Sequence, residues 1–248
     1  MPITELALLT LHPPPPTDDS PTQIPPSNLN ALKTAAQAQA TFSKHPVTLI
    51  QCIDDPSLIY LLGGWDSVAA HMDTWIPGAE NKELIGMLGR EGVGVRELIH
   101  VTADPARVVG LMRGSRDVIG IWRAGFKELG DEVWRARVGQ VIGTKTDDGD
   151  GDVNADGSKG GVDEGQLAVG WRMDDWFAPS TYSDVSVWNT GGVGRDANEV
   201  VVFSVWSSVE KGMRFMEGDA WLGRHARIQD SVKTTEGSCG RVLCVLQP

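Results

Sequence analysis

Two histidines in the N-terminal half are of a type that moves protons. His71 falls six residues after Trp65 in the run LLGGWDSVAAHMDTW, and His100 stands between Ile99 and Val101 in the run VRELIHV. An imidazole titrates near neutral pH, so either ring could act as a general base on a phenol or an acidic methylene. His100 would line the inside of a barrel if Leu98 and His100 face inward. The chain is also rich in one aromatic type, with nine Trp against two Tyr. Trp offers broad apolar surface and one donor, which suits a core or the wall of a pocket for a flat ligand. Trp65, Trp122, Trp171 and Trp206 fall on strand-like runs, and Arg172 follows Trp171. An inward Trp beside an inward Arg from a neighbouring strand would hold a flat, enolate-bearing substrate by stacking and charge.

Other candidates are weaker. The loop DVNADGSKGGVD matches a calcium-binding loop at Asp152, Asn154, Asp156, Gly157 and Asp163. Flanking helices are not evident on both sides, Lys159 replaces the apolar anchor, and the last ligand is Asp, so a solvated acidic insertion is expected. His225 lies beside Arg224 and Arg227 and reads as a solvated face. Trp176, Tyr182 and Trp188 fall in an irregular insertion that could act as a lid. No Gly-rich phosphate loop and no Cys/His ligand cluster is found, so no cofactor and no metal are expected.

The elements that must position these residues follow from periodicity. ITELALLTL (3–11) reads as a strand, and the Pro-rich stretch 12–28 as an extended loop. A helix follows, capped by Asn28 or Asn30, with an apolar stripe at Leu32, Ala35, Ala38 and Phe42. VTLIQCI and SLIYLLGGW make a strand pair turning at Asp54–Pro56. Asp66 or Ser67 caps a second helix that buries Val68, Met72 and Trp75. After a further helical piece over 80–88 comes the strand 95–101. The order is β-α-β-β-α-β.

That order recurs. VIGIWRAGF (118–126), a helix near 128–143, QLAVGWRM (166–173), EVVVFSVW (199–206), helices over 208–217 and near 219–232, and GRVLCVL (240–246) repeat it. Setting Trp65 on Trp206 also superposes Ser67 on Ser208, Val68 on Val209 and Met72 on Met213, while His71 falls on Gly212. The expected fold class is therefore α+β, with two tandem ferredoxin-like units whose sheets pack into an eight-stranded barrel with helices outside. Residues 1–104 form the first unit, 105–117 a linker, and 118–248 a second unit with insertions at 146–165 and 174–197.

Composition narrows the function. A net charge of −11 argues against nucleic acid or an anionic membrane as partner. The N-terminus lacks the features of a signal peptide, and no apolar run approaches the ~18 residues of a membrane span. Cys52, Cys239 and Cys244 read as buried thiols in a reducing compartment, so a cytoplasmic protein is expected.

The segment LLGGWDSVAAHMDTW resembles the dimeric α+β barrel superfamily, most closely its antibiotic-biosynthesis-monooxygenase-like domains. Those domains end an apolar strand in Trp, follow it with a Ser/Asp cap, and carry an Ala-His pair in the next helix. Trp65, Asp66, Ser67, Ala70 and His71 occupy these places. The resemblance covers residues 1–102 well and 118–246 more loosely. It implies a cofactor-independent enzyme of secondary metabolism, of the fungal tandem type. Such an enzyme would use His71 or His100 to make a carbanion from a phenolic, anthrone or polyketide-like substrate and pass it to O₂. Cyclisation of a polyketide, or a non-catalytic ligand-binding or scaffold barrel, are the other expectations on this fold. The partner would be a small aromatic substrate, and the chain a pseudo-dimeric monomer or a homodimer.

Overall fold

The computed structural model describes residues 1–12, 24–112, 118–126, 167–173, 199–206, 208–211 and 232–248. The expected helix at 128–143, the calcium-like loop, Trp176, Tyr182, Trp188 and His225 lie outside these residues. The described elements are β1 (Ile3–Leu11), α1 (Pro26–Ser43), β2 (Val47–Cys52), β3 (Leu58–Trp65), a π-helical turn (Ala70–Trp75), α2 (Ala79–Arg90), β4 (Val93–Val101), α3 (Pro105–Met112), β5 (Val118–Phe126), β6 (Leu167–Trp171), β7 (Glu199–Trp206) and β8 (Val232–Leu246). None of the described helices is long and apolar enough to cross a membrane.

All eight strands form one sheet in the order β4-β1-β3-β2-β8-β5-β7-β6. Strands five to eight thus follow the same order as strands one to four. Long β8 holds the two sets together, pairing with β5 through its first part and with β2 through Gly240–Leu246. The two outer strands also meet. Val101 at the end of β4 bridges Arg172 after β6, Thr102 N–H donates to Trp171 O at 2.9 Å, and Met173 N–H donates to His100 O at 2.8 Å. The sheet therefore joins its own edges at one end, which removes part of the exposed edge an open sheet would leave.

Closure gives the sheet an inner and an outer face. Leu6, Ile50, Leu62, Ile99, Val101, Ile119, Ile121, Val201 and Phe203 fill the inner face as one apolar cluster. The outer face of the first four strands packs Ala7, Leu9, Leu49, Ile59, Leu61 and Leu98 against Leu32, Ala36 and Ala40 of α1 and Leu88 of α2. Residues 105–117, expected to link two units, include α3. Asp104 caps it, its carboxylate accepting from Ala106 N–H at 3.0 Å, and Pro105 takes the first turn, where its missing N–H costs nothing. Val108 and Met112 then complete the inner cluster.

Two helical expectations are corrected. On α1 the buried residues are Asn28, Ala31, Leu32, Ala36, Gln39, Ala40 and Ser43; of the expected stripe Leu32 is buried, Ala35 and Ala38 are half-buried, and Phe42 is 42% exposed. Neither Asn28 nor Asn30 caps α1. Pro25 stands at the cap, and the Asn28 side chain donates to Glu91 O, tying α1 to the end of α2. The helix after Trp65 contains a π-helical turn, with Ser67 Oγ accepting from Ala70 N–H at 3.0 Å and His71 O accepting from Ile76 N–H at 2.9 Å. The wider turn brings His71 and Trp75 onto the buried face and leaves Val68 and Met72 only half-buried.

One end of the inner face is ionic. Arg123 donates to both oxygens of Glu97 at 2.8 and 2.9 Å and through Nε to Glu199, while Arg172 donates to Glu199 at 3.1 Å. Burial opposes charge on Arg123, but its hydrogen bonds to Glu97 and Glu199 outweigh that and hold the guanidinium above its ordinary value. These four residues lie on or beside β4, β5, β6 and β7, where the sheet joins its edges. Replacing Arg123 with Ala should lower unfolding stability by about 3 kcal/mol, because truncating one member of a buried pair leaves its partners uncompensated. Urea denaturation reads this directly; a loss under about 1 kcal/mol would mean that the network behaves as a solvated surface pair.

Candidate active site

Glu5 is an acidic residue within the apolar strand β1, and its register decides where it points. It pairs with Gly63 on β3 and with His100 on β4, so all three positions share the outer face. There α1 and the π-helical turn cover it, leaving Glu5 3% exposed. Its Oε2 accepts from Gln39 Nε2 at 2.6 Å and from Trp65 Nε1 at 2.8 Å. A carboxylate so buried requires such donors, since an unmet charge costs several kcal/mol.

The same oxygen lies 3.7 Å from His71 Nε2. The His71 ring stacks on Trp65, with centroids 4.3 Å apart and planes 14° apart. Its other nitrogen, Nδ1, lies 2.7 Å from His100 Nε2, and the two rings meet edge to face. The result is a buried line of carboxylate, imidazole and imidazole, in which His71 is 1% and His100 0% exposed. Such a line can carry a proton between its ends.

Both histidines proposed from sequence thus come together, on the outer face of the sheet. His100 does not line the inside of the barrel. It pairs with Glu5, whose face is the outer one, while its neighbours Ile99 and Val101 belong to the inner cluster. An aromatic column leads from the site toward the surface. Phe42 lies 4.8 Å from Trp75 and 6.2 Å from Trp65, centroid to centroid, and is the exposed member of that column. An open groove on α1, lined in part by Lys33, Gln37 and Leu246, includes neither histidine.

The remaining sequence candidates stand apart from this line. Trp122 pairs with Val202 on the outer face and is 1% exposed, and Trp206 donates through Nε1 to Ser204 Oγ at 2.7 Å. Arg172 is bound to Glu199 in the inner network, whereas Trp171 pairs with Val200 on the other face. The expected clamp of an inward Trp beside an inward Arg from a neighbouring strand is not assembled, because Trp122 and Trp171 both fall on the outer face while Arg123 and Arg172 fall on the inner one. Glu5 and Gln39 were not foreseen. The signals were one charge in an apolar strand and one amide among the buried alanines of α1.

The second half lacks the same chemistry at the matching register. Val118 stands opposite Trp206 as Ile3 stands opposite Trp65, so Gly120 takes the place of Glu5 and Ser204 that of Gly63. Cys239 pairs with Gly120, the place His100 holds beside Glu5. GRVLCVL was expected to match the strand of His100; by register Gly240 corresponds to Val101, and the apolar run beyond it pairs with β2 instead.

No protein-family model matches the chain, and no curated protein matches it in sequence. Solved structures do. A candidate monooxygenase from Fusobacterium nucleatum superposes with a TM-score of 0.58 at 10% identity, covering 99% of this chain and 94% of that one. An anthrone oxidase-like protein gives 0.57 at 10% identity, covering 99% and 93%. A candidate chlorite dismutase gives 0.56 at 11% identity, covering 98% and 95%. At these identities the likeness concerns fold alone. The chain is a mixed α+β protein with a large antiparallel sheet and neighbours of the ferredoxin-like dimeric barrel type.

Cys239 has its own consequence for pH. Burial, then the charge of Asp54, then Cys52 push its thiol from 9.0 up to about 11, so it is neither base nor thiolate nucleophile near neutral pH. The folded value exceeds the unfolded one, so the associated stability is complete below about pH 9 and is lost as pH rises through about 11. The urea midpoint should fall across that window by more in the wild type than in Cys239→Ala. Equal falls in the two proteins would refute the assignment.

Proposed function

We propose that this protein is a small-molecule enzyme of the monooxygenase type that uses the His71–His100 pair as a general base on an electron-rich aromatic substrate such as an anthrone. The observation that carries the reading is the 2.7 Å contact between His71 Nδ1 and His100 Nε2, with a buried carboxylate behind it. The pair would remove a proton from the activated CH₂, leaving a carbanion delocalised over the ring system. The carbanion gives an electron pair to O₂ in single-electron steps, forming a carbon-bound peroxide that recovers a proton from the pair. Loss of the second C–H proton breaks the O–O bond and releases water, so CH₂ and O₂ become C=O and H₂O. No cofactor or metal enters this scheme. The Trp-rich outer layer suits a flat substrate, and Phe42 marks the side from which it would arrive.

The chain is further proposed to be two copies of one β-α-β-β-α-β unit, residues 1–104 and 118–248, joined through 105–117. The recurring strand order supports this reading, as does the register match of Trp65 with Trp206. The partner sheet of a dimeric barrel would then be covalently attached, and only the first copy would carry the base, in a pseudo-dimeric monomer. A cytoplasmic role in secondary metabolism, on a phenolic, anthrone or polyketide-like substrate, is part of the same proposal.

A second reading has its own support. Both rings are almost fully buried, as in a polar core that merely shapes a non-catalytic barrel. Oxygen uptake with an anthrone separates the two. The enzyme reading expects turnover in the wild type and a loss of about 10²–10⁴-fold in His71→Ala and His100→Ala, with the fold retained by circular dichroism. No uptake by the wild type, or equal rates in the folded variants, would favour the core reading.

A further inference from the structure

We propose that Trp65 is a redox-active residue that gives one electron to an organic peroxyl radical while Glu5 takes its indole proton. The indole Nε1–H donates to Glu5 Oε2 at 2.8 Å, and the two residues are 1% and 3% exposed. Removing an electron from an indole makes its N–H strongly acidic, and the proton moves to the base that already accepts from it. Here that base is a carboxylate. The N–H bond breaks, an O–H bond forms at Oε2, and the electron turns the peroxyl radical into a peroxide anion. The indole becomes a neutral radical and the carboxylate a neutral acid. One buried charge before the step becomes none after it, whereas loss of the electron alone would leave two. Out of water that difference favours the coupled step. Return of one electron restores both groups.

Rings connect this pair to the surface. Trp65 lies 6.2 Å from Trp75 and 6.2 Å from Phe42, and Phe42 lies 4.8 Å from Trp75, centroid to centroid. Phe42 is the exposed member. Electrons cross such short gaps between rings by tunnelling, so the oxidant does not have to touch Trp65. In the second half Trp206 donates instead to the Ser204 hydroxyl at 2.7 Å, a far weaker base than a carboxylate, and Gly120 holds the register place of Glu5. The use of the device rests on the monooxygenase reading, in which electrons reach O₂ one at a time and an escaped radical would be quenched through Trp65. Its chemistry does not rest on that reading.

The test brings the oxidant to the exposed ring. A ruthenium photosensitiser is attached at Phe42→Cys in a Cys244→Ala background, because Cys52 and Cys239 are buried and Cys244 is only half-buried. A flash with an electron-accepting quencher leaves the tethered metal oxidised, and electron paramagnetic resonance reads the protein radical. Electron–nuclear double resonance, before and after exchange into D₂O, shows whether the indole nitrogen keeps its proton. The expected result is a tryptophan radical without an exchangeable N–H coupling. That deprotonated signal should be lost in Trp65→Phe, and also in Glu5→Gln, which keeps the shape and removes the base. A radical that keeps its N–H in the parent protein overturns the proposal, even if neither variant folds. An unchanged deprotonated signal in folded Trp65→Phe or Glu5→Gln overturns it too. No substrate takes part, so inactivity toward anthrones beside the expected spectra would refute the enzyme reading and leave the Trp65–Glu5 chemistry standing.

Discussion

Burying one carboxylate between the sheet and its helices constrains much of what surrounds it. Glu5 is out of water, so its oxygen needs donors at fixed places, and each donor fixes an element. Gln39 reaches it from the face of α1 that otherwise carries Ala36 and Ala40. Small neighbours let the helix approach closely enough for the amide to bond. Trp65 must end β3 opposite Ile3, two positions from the Glu5–Gly63 pair, so that its indole N–H meets the same oxygen. Gly63 must lack a side chain, since a Cβ there would lie 2.2 Å from Gln39 Nε2 and 2.9 Å from Glu5 Oε2. His71 completes the surroundings only because the π-helical turn rotates it inward. The places of Gln39, Gly63, Trp65 and His71 thus answer to one buried carboxyl group.

The matching register of strands five to eight solves the same packing problem without a charge. Gly and the polar residue exchange strands. Glu5 faces Gly63 on β1 and β3, while Gly120 faces Ser204 on β5 and β7. In both places the Trp indole N–H finds an acceptor, a carboxylate at 2.8 Å in one and a hydroxyl at 2.7 Å in the other. A hydroxyl needs far less compensation than a carboxylate when buried. It also gives no reason for a histidine to sit beside it, and Cys239 stands at the place of His100. What the two share is a tryptophan with a satisfied N–H; what differs is a charge and the rings that answer to it.

The strands were legible because alternation and β-branched runs mark them directly, as in ITELALLTL and EVVVFSVW. The histidines were legible as types, and their meeting was not, because it depends on a register between β1 and β4 and on a π-helical turn. Neither leaves a local pattern. A 3.6-residue period placed Met72 on the buried face, and the wider turn moved His71 there instead. α3 was hidden for another reason. Asp-Pro marks both a loop and a helix start, and only Val108 and Met112 against the inner cluster select the helix. The terminal run GRVLCVL misled because its apolar pattern belongs to the part of β8 that leaves β5 for β2.

The two faces of the sheet are packed in different ways. The inner face is closed by aliphatic side chains, stopped by α3, and bound at one end by the Arg123 network. A ligand there would have to displace a packed cluster, at a cost set by the apolar area it exposes. The outer face is different in kind. Rings lie over Glu5 in a column whose far end, Phe42, is open to solvent, so movement of one aromatic side chain would begin to uncover the stacked Trp65 and His71. The layer between sheet and helices holds the only buried carboxylate–histidine line among the described residues.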